Sequence, residues 1–417
     1  MLAVLLVMYT FNYLDRFVLS ILVEPIKAEL GVSDAAMGFL IGPAFAIFYT
    51  ALGVPIARLA DRHSRRSILA LGFALWSAVT AASGAVRSGA ELALARIGVG
   101  IGEAAGTAPA HSLISDYFPP SARASALSVF QMGVYLGQLL GLAVGGLLVE
   151  PLGWRWTFAV VGLPGLGFAL LLRLSVREPA RGRLEPALAR AAPERDRYGA
   201  LEVLRFLWRL SSFRYLAFGA GLASFAGTGF GSWVPTYFVR VHGLSYAEVG
   251  VYYGSVNVAS ALAGSLLAGW LADRLHGASP SWTLRVPAIG VALCLPFLCA
   301  ICLHPDPYTA ILFSIPSGLT GAGWAPCCYT ATQNLVPVAM RSVAASVLIL
   351  FITLLGQGAG PWAVGLLSDG LAPSFGPLAL RYALVAVLVT SLVGAGLLAV
   401  AARRYPADLA RVRAARA

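Results

Sequence analysis

Apolar runs of about 20 residues recur along this 417-residue chain, separated by short clusters of Arg, Asp, Glu, Pro and Gly. Each is long enough to cross the roughly 30 Å hydrocarbon core of a bilayer as an α-helix. Twelve spans are predicted, near residues 2–26, 35–59, 67–87, 90–115, 123–149, 155–176, 214–239, 246–272, 284–304, 307–333, 342–367 and 377–402. Between the sixth and seventh lies a long polar segment from Arg177 to Arg214, rich in Arg, Glu, Ala and Pro. Within it, the stretch from Tyr198 to Trp208 sets apolar residues at helical spacing beside basic ones, which predicts a helix lying in the membrane interface. The expected organisation is an N-terminal six-helix bundle (1–176), a linker with an interfacial helix (177–213), a C-terminal six-helix bundle (214–403) and a tail (404–417).

Composition agrees with an all-α polytopic membrane protein. The chain is 58% hydrophobic and 12% charged, against about 25% charged residues in an average soluble domain. The first run lacks a basic leader and carries Asp15-Arg16 in its middle, so it reads as a span and not as a cleavable signal peptide. A net charge of +11 raises the question of nucleic acid, and its distribution argues against such a partner. Loops on one side of the predicted spans carry a net +14 and those on the other side −3. By the positive-inside rule both termini and the linker are then cytoplasmic. Five cysteines (Cys294, Cys299, Cys302, Cys327, Cys328) lie in apolar stretches without metal-finger spacing and read as small buried residues.

The two halves repeat. Ala57-Arg58-Leu59-Ala60-Asp61-Arg62 is echoed by Gly269-Trp270-Leu271-Ala272-Asp273-Arg274, an offset of 212. Leu136-Gly137-Gln138 returns as Leu355-Gly356-Gln357, and Gly100-Ile101-Gly102 as Gly321-Ala322-Gly323, at offsets of 219 and 221. Echoes at nearly one spacing indicate two six-helix halves joined by the linker. Gly137, Gly141, Gly145 and Gly146, with Gly356, Gly360 and Gly365, supply surfaces for close helix packing.

Charges inside apolar runs mark the candidate site. Each costs about 2.5–3.5 kcal/mol near a bilayer centre unless it has a partner or a water-filled cavity. Asp15 and Arg16 stand in the first span, within Asn12-Tyr13-Leu14-Asp15-Arg16-Phe17. In the fourth, Arg96 and Glu103 are separated by two helical turns and project from one face, among Gly98, Gly100, Gly102 and Gly106. Asp15 and Glu103 are candidates for proton coupling, because their protonation could follow occupancy of a cavity. Arg16 and Arg96 are candidate substrate or charge partners. The competing reading is a set of fixed ion pairs that hold the helices together.

His111 and Asp116 form His-x-x-x-x-Asp, a spacing also used by membrane acyltransferases, but no companion nucleophile follows. His111 is expected to hydrogen-bond within the bundle, and an enzyme is the less favoured class. In the second half almost every charge falls at a span end, leaving neutral candidates for cavity lining: Ser224, Thr228, Tyr237, Asn257 and Gln357, to which Asn12 and Tyr13 are added from the first. A charged half opposite a neutral, aromatic one suits an amphiphile with a polar head and an apolar body.

The Leu59-Ala60-Asp61-Arg62 tetrad followed by Arg65-Arg66 resembles the signature between helices two and three of the major facilitator superfamily, with Ala57 and Ser64 where that family usually has glycine. The resemblance implies a cytoplasmic gate at Asp61 and Arg65; a plain basic loop is the alternative. Asn12-Tyr13-Leu14-Asp15-Arg16, Gly100-Ile101-Gly102-Glu103-Ala104, the run from Pro109 to Pro119 and Val176-Arg177-Glu178-Pro179 resemble the spinster group of lipid transporters, particularly its bacterial members. The first two elements also occur in the related anion/cation symporters. The spinster resemblance implies alternating access, lysophospholipid-like or sphingoid-phosphate-like cargo, and proton coupling through Asp15 and Glu103, with Arg16 binding an anionic head or restraining Asp15. A small organic anion or an exported drug is the alternative cargo. A monomer in a bacterial inner membrane is expected, with membrane lipids around it, protons as coupling ion, and no metal or other cofactor.

Overall fold

The computed structural model describes residues 1–180, 200–337 and 340–414, without the side chains of Val54, Asp61, Pro120, Ser121, Ala124, Ala200, Ser342 and Arg413. Regular structure among them is helical throughout. In chain order come α1 Leu2–Ile21, α2 Val23–Leu30, α3 Asp34–Ile41, α4 Pro43–Arg62, α5 Arg65–Ala82, α6 Gly89–Glu103, α7 Thr107–Tyr117 and α8 Pro120–Ser175. After the linker follow α9 Ala200–Arg209 and α10 Ser211–His242, then a turn Tyr246–Glu248 that continues as a π-helix, Val249–Tyr253, into α11 Gly254–His276. α12 Trp282–Leu303, α13 Pro307–Leu312, α14 Ser314–Gly321, α15 Trp324–Asn334 and α16 Arg341–Phe351 come next. A second π-helix, Ile352–Ala359, leads into α17 Gly360–Phe375, and α18 Ala379–Ala414 ends the chain.

Seven helical stretches among the described residues are long and apolar enough to cross a membrane. They cover nine of the twelve expected spans, because 125–175 and 343–412 each hold two. Of the other three, the fourth and tenth are broken, at 104–106 and at 322–323, next to the echoed glycine triplets, and the seventh lies in the 32-residue helix α10, which is not among the seven stretches. Within α8 two helices meet at Gly153, whose φ of 75° glycine adopts without the clash a Cβ would cause.

The described residues form two compact units, one of residues 1–180 with Ser232–Ser255, the other of residues 200–231 with 256–414. The division does not coincide with the repeat boundary expected at 214, since the hairpin 232–255 packs with the first unit. In that unit a ridge of glycines on α8 seats α1. A Cβ at Gly141 would lie 2.7 Å from the Leu14 carbonyl oxygen and 2.9 Å from Phe17 Cβ, and one at Gly145 2.7 Å from Ile21. Gly133 and Gly137, one and two turns earlier, touch Tyr9, Thr10 and Tyr13 in the same way. The α1 backbone therefore runs against α8, and this contact fixes where Asp15 and Arg16 stand. Gly100 and Gly102 bring α6 equally close to Phe45 of α4 and Trp76 of α5.

In the second unit the echo is partial: Gly356 and Gly360 lie against Ser224, Phe225 and Thr228 of α10, but on a π-helical stretch that α8 lacks. Two expectations are refined here. The helix in the linker, α9, is docked by Val203 and Leu207 in the core of this unit, so the helix expected at the membrane interface has its inner face packed on protein. The residues expected as a tail continue α18 to Ala414, with Tyr405, Leu409 and Val412 in the same core and Asp408 accepting the Ser212 backbone N–H at 2.8 Å. Residues 181–199 of the expected linker lie outside the described residues.

Candidate functional site

The charges singled out in the first and fourth spans meet inside the first unit, in crossed pairs. Arg16 of α1 reaches Glu103 at the end of α6, with Nη2 2.6 Å and Nε 2.8 Å from Oε2. Arg96, two turns earlier on α6, reaches Asp15 with Nη1 3.2 Å from Oδ2. Adjacent residues on α1 thus bind groups about 10 Å apart along α6, by the helical rise over seven residues. Asp15, Arg96 and Glu103 are buried, while Arg16 keeps 15% of its side chain exposed. Arg96 and Glu103 do project from one face, yet each bonds to α1.

Uncharged groups complete the site. Thr80 Oγ1 of α5 donates to Asp15 Oδ1 at 2.7 Å. The Arg16 guanidinium lies over three rings, Phe45 at 4.4 Å, Tyr13 at 4.9 Å and Tyr49 at 5.2 Å, a box that holds it by cation–π attraction where water is scarce. Tyr49 and Thr107 hydroxyls stand 3.5 Å apart. Glu103 Oε2 is occupied by Arg16, whereas its buried Oε1 has no hydrogen-bond partner. Such an atom is costly in a dry interior unless it takes a proton or a ligand group. Thr80, Phe45, Tyr49 and Thr107 carry no mark in the sequence, because single hydroxyls and rings are ordinary in apolar helices.

The other candidates fall in several places. Asn12 is buried on α1 near Gly106, and Tyr13 packs edge-on to Tyr9 beneath Arg16. Ser224 donates to the Ile352 carbonyl and Thr228 to that of Ser224, so both hydroxyls are engaged by backbone. Tyr237, expected as a lining group of the second half, is fully buried in the first unit, with its hydroxyl 2.9 Å from His242 Nε2. Asn257 follows the first π-helix and Gln357 lies within the second, both half-buried. His111 departs from expectation: its Nε2 has no hydrogen-bond partner, and its ring stands edge-on against Phe130.

At the start of α5, Arg65 is buried and bonds to Asp116, to the Ser112 hydroxyl at 2.9 Å, and to Glu178 at 2.8 Å. Glu178 also accepts from the Arg66 backbone N–H and from Ser64, the N-cap of α5, so the serine that replaces a family glycine is used as a donor. Burial pushes the Glu178 carboxyl up, but the Arg66 N–H, Arg65 and Ser64 together hold it below its ordinary value. The Asp61 side chain, the other gate candidate, lies outside the described residues.

A second charged cluster escaped the sequence reading because its members sit at span ends. Arg240, in the last turn of α10, bonds to Glu24 of α2 at 2.5 Å and to Asp34 of α3 at 2.6 Å, and Lys27 also pairs with Asp34. Thr236 Oγ1 reaches the Ser20 carbonyl at 3.4 Å, and the Tyr246 N–H reaches Glu150 at 3.1 Å. Together they tie the hairpin 232–255 to the first unit.

Comparison with known proteins places this arrangement. The profile of the Major Facilitator Superfamily matches residues 5–361. A protein of Mycolicibacterium smegmatis named an MFS-type efflux pump is 36% identical over 409 residues, 97% of this chain and 93% of that one. A Danio rerio protein named sphingosine-1-phosphate transporter is 28% identical over 90% of this chain and 78% of its own. The crystal structure of a bacterial homologue of the human lysosomal transporter spinster, inward-facing and occupied, is 30% identical, covering 98% of this chain and 97% of that one with a TM-score of 0.84. The chain is thus a membrane transporter, not an enzyme: it has the twelve-helix fold in two halves and belongs to the major facilitator superfamily, among its spinster-type members.

Proposed function

We propose that this chain is a proton-coupled secondary transporter that moves lipid-like amphiphiles of lysophospholipid or sphingoid-phosphate type by alternating access. Its setting is a bacterial-type inner membrane, with both termini cytoplasmic. The observation that carries the coupling is Glu103: a buried carboxylate with one oxygen on Arg16 and the other without a partner. A proton arriving at Oε1 removes the countercharge of Arg16. The guanidinium stays in its aromatic box and becomes available to an anionic head group, which a planar cation binds in two-pronged fashion. When the anion leaves, Arg16 recovers Glu103 and the proton is released. Asp15, held by Arg96 and Thr80, keeps the field of the site balanced while this exchange occurs. Asp61 and Arg65 remain the proposed cytoplasmic gate.

The relatives named for spinster and for sphingosine-1-phosphate transport support lipid cargo. The mycobacterial relative's name supports a second reading, drug export. Reconstituted vesicles with an imposed pH gradient distinguish them: a lysophospholipid or sphingoid phosphate is expected to move, and a hydrophobic cationic dye or a hexuronate is not. Glu103→Gln and Asp15→Asn are expected to reduce proton-driven flux to the level of empty vesicles while the protein still elutes as a folded monomer. Wild-type flux in Asp15→Asn removes that residue from the mechanism, and dye transport in place of lipid transport overturns the cargo.

A further inference from the structure

The arginines that flank the membrane-spanning parts divide into paired and unpaired sets. In the first unit Arg65 is taken by Asp116 and Glu178, Arg66 by the Val176 carbonyl and Arg123 by the Ser115 carbonyl, whereas Arg58, Arg62, Arg173 and Arg177 are exposed and have no carboxylate partner among the described residues. In the second unit Arg205 and Arg209 of α9, Arg214 of α10, and Arg403 and Arg404 of α18 are exposed, and no carboxylate among the described residues pairs with them. Of the acids on these helices, Asp408 is buried and occupied by the Ser212 N–H, with Arg411 3.6 Å away, and Glu202, one turn before Arg205 on α9, is exposed and makes no ion pair among the described residues.

The shape of α9 adds a second observation. Val203, Leu207 and Leu210 face the core of the unit. The opposite stripe carries Leu201, Glu202, Arg205, Trp208 and Arg209, all exposed, so apolar groups and a net positive charge share one outward face. Trp208 is anchored by stacking on Phe351 at 5.9 Å, and Arg404 lies over Tyr215 at 4.8 Å. A solvated face gains nothing from exposed Leu and Trp, whereas a face at head-group depth buries them and aims the guanidinium groups at phosphates.

We infer that α9 and the last turns of α18 form a binding surface for the anionic phospholipid head groups of the surrounding membrane. The five unpaired arginines are the phosphate partners, and Leu201 and Trp208 enter the acyl boundary. Each basic residue at an anionic surface strengthens binding about fivefold, so three together separate anionic from zwitterionic lipid by about a hundredfold. This surface is independent of the cargo and of the charges around Glu103.

The test is native mass spectrometry of the full chain extracted from mixed phosphatidylglycerol and phosphatidylcholine vesicles. The wild type is expected to retain phosphatidylglycerol in preference, less so at high salt. Arg205→Gln/Arg209→Gln/Arg404→Gln is expected to lose that preference, and the same three sites changed to lysine to keep it. A matched thermal midpoint in phosphatidylcholine shows that the glutamine variant is folded. Retention of phosphatidylglycerol by that variant overturns the proposal. So does displacement of the lipid by millimolar inorganic phosphate, which would make the surface a site for a free anion.

Discussion

At the scale of single residues, the site works because two ion pairs share one dry space and differ in what else holds them. Asp15 is satisfied on both oxygens, by Arg96 and by Thr80, whereas Glu103 has one oxygen bonded and one bare. The two carboxylates thus differ in how fully they are hydrogen-bonded, which is why the proposed mechanism gives the proton to Glu103. A hydrogen bond to a charged group contributes about 1.5–3 kcal/mol, so Thr80→Val is expected to lower the thermal midpoint and to move the pH at which flux is half-maximal. Thr80→Ser, which keeps the hydroxyl, is expected to restore both; a pH profile unchanged in Thr80→Val would reduce Thr80 to a packing residue. The four charges were legible in the sequence because an ionised group in an apolar run stands out by its cost. That Asp15 and Arg16 find their partners in Glu103 and Arg96 follows from the same cost, but the geometry by which the first and fourth helices meet was not legible. The aromatic box was equally hidden: nothing in the spacing of Tyr13, Phe45 and Tyr49 says that they converge on one guanidinium.

At the scale of elements, close packing of glycine-bearing helices was legible from Gly137, Gly141 and Gly145, four residues apart on one face of α8, and the structure extends that row by one turn to Gly133. The π-helices at Val249–Tyr253 and Ile352–Ala359 were not, because the widened turn depends on contacts that hydropathy does not record. Leu136-Gly137-Gln138 and Leu355-Gly356-Gln357 read alike and fold differently. The end of α8 is a case in which a motif found in the sequence acquired a physical role. Glu178, three residues past that helix, receives three donors from the start of α5. Its carboxyl is held below the ordinary value of 4.5, so the stabilisation is complete above that pH and is lost as pH falls through the lowered folded value. Glu178→Gln is expected to lower the unfolding midpoint at pH 7 by a few degrees, with the gap to wild type closing below pH 4.5. A gap that persists at low pH would mean that shape, and not charge, holds the junction.

For the molecule as a whole, the feature that hydropathy could not reveal is the membership of the hairpin 232–255. α10 begins in one compact unit and ends in the other, so any motion of the units against each other must be absorbed along that helix or released at its end. Its end is where the charges are. Arg240 holds Glu24 and Asp34 at once, and Lys27 shares Asp34, giving a neutral four-charge cluster that is only partly exposed. Under the proposed alternating access, this tie is expected to break and re-form in each cycle. Truncating Arg240 removes contacts to two carboxylates and leaves Glu24 without its cation, which biases the equilibrium toward the released hairpin by a differential of about 3–5 kcal/mol if the pair behaves as buried. The cluster keeps some exposure, so the lower part of that range, or less, is expected. Ser20 reports on the event: it is buried, and its carbonyl receives Thr236. With Ser20→Cys in a chain whose five native cysteines are replaced, Arg240→Gln is expected to raise the rate of maleimide labelling at least severalfold and to slow net transport. Arg240→Lys, which can satisfy one carboxylate but not both, should fall between. Labelling that is the same with arginine and glutamine at this position would mean that the hairpin is held by its packing against α1 and α8, and that the charge cluster is a by-product of that packing.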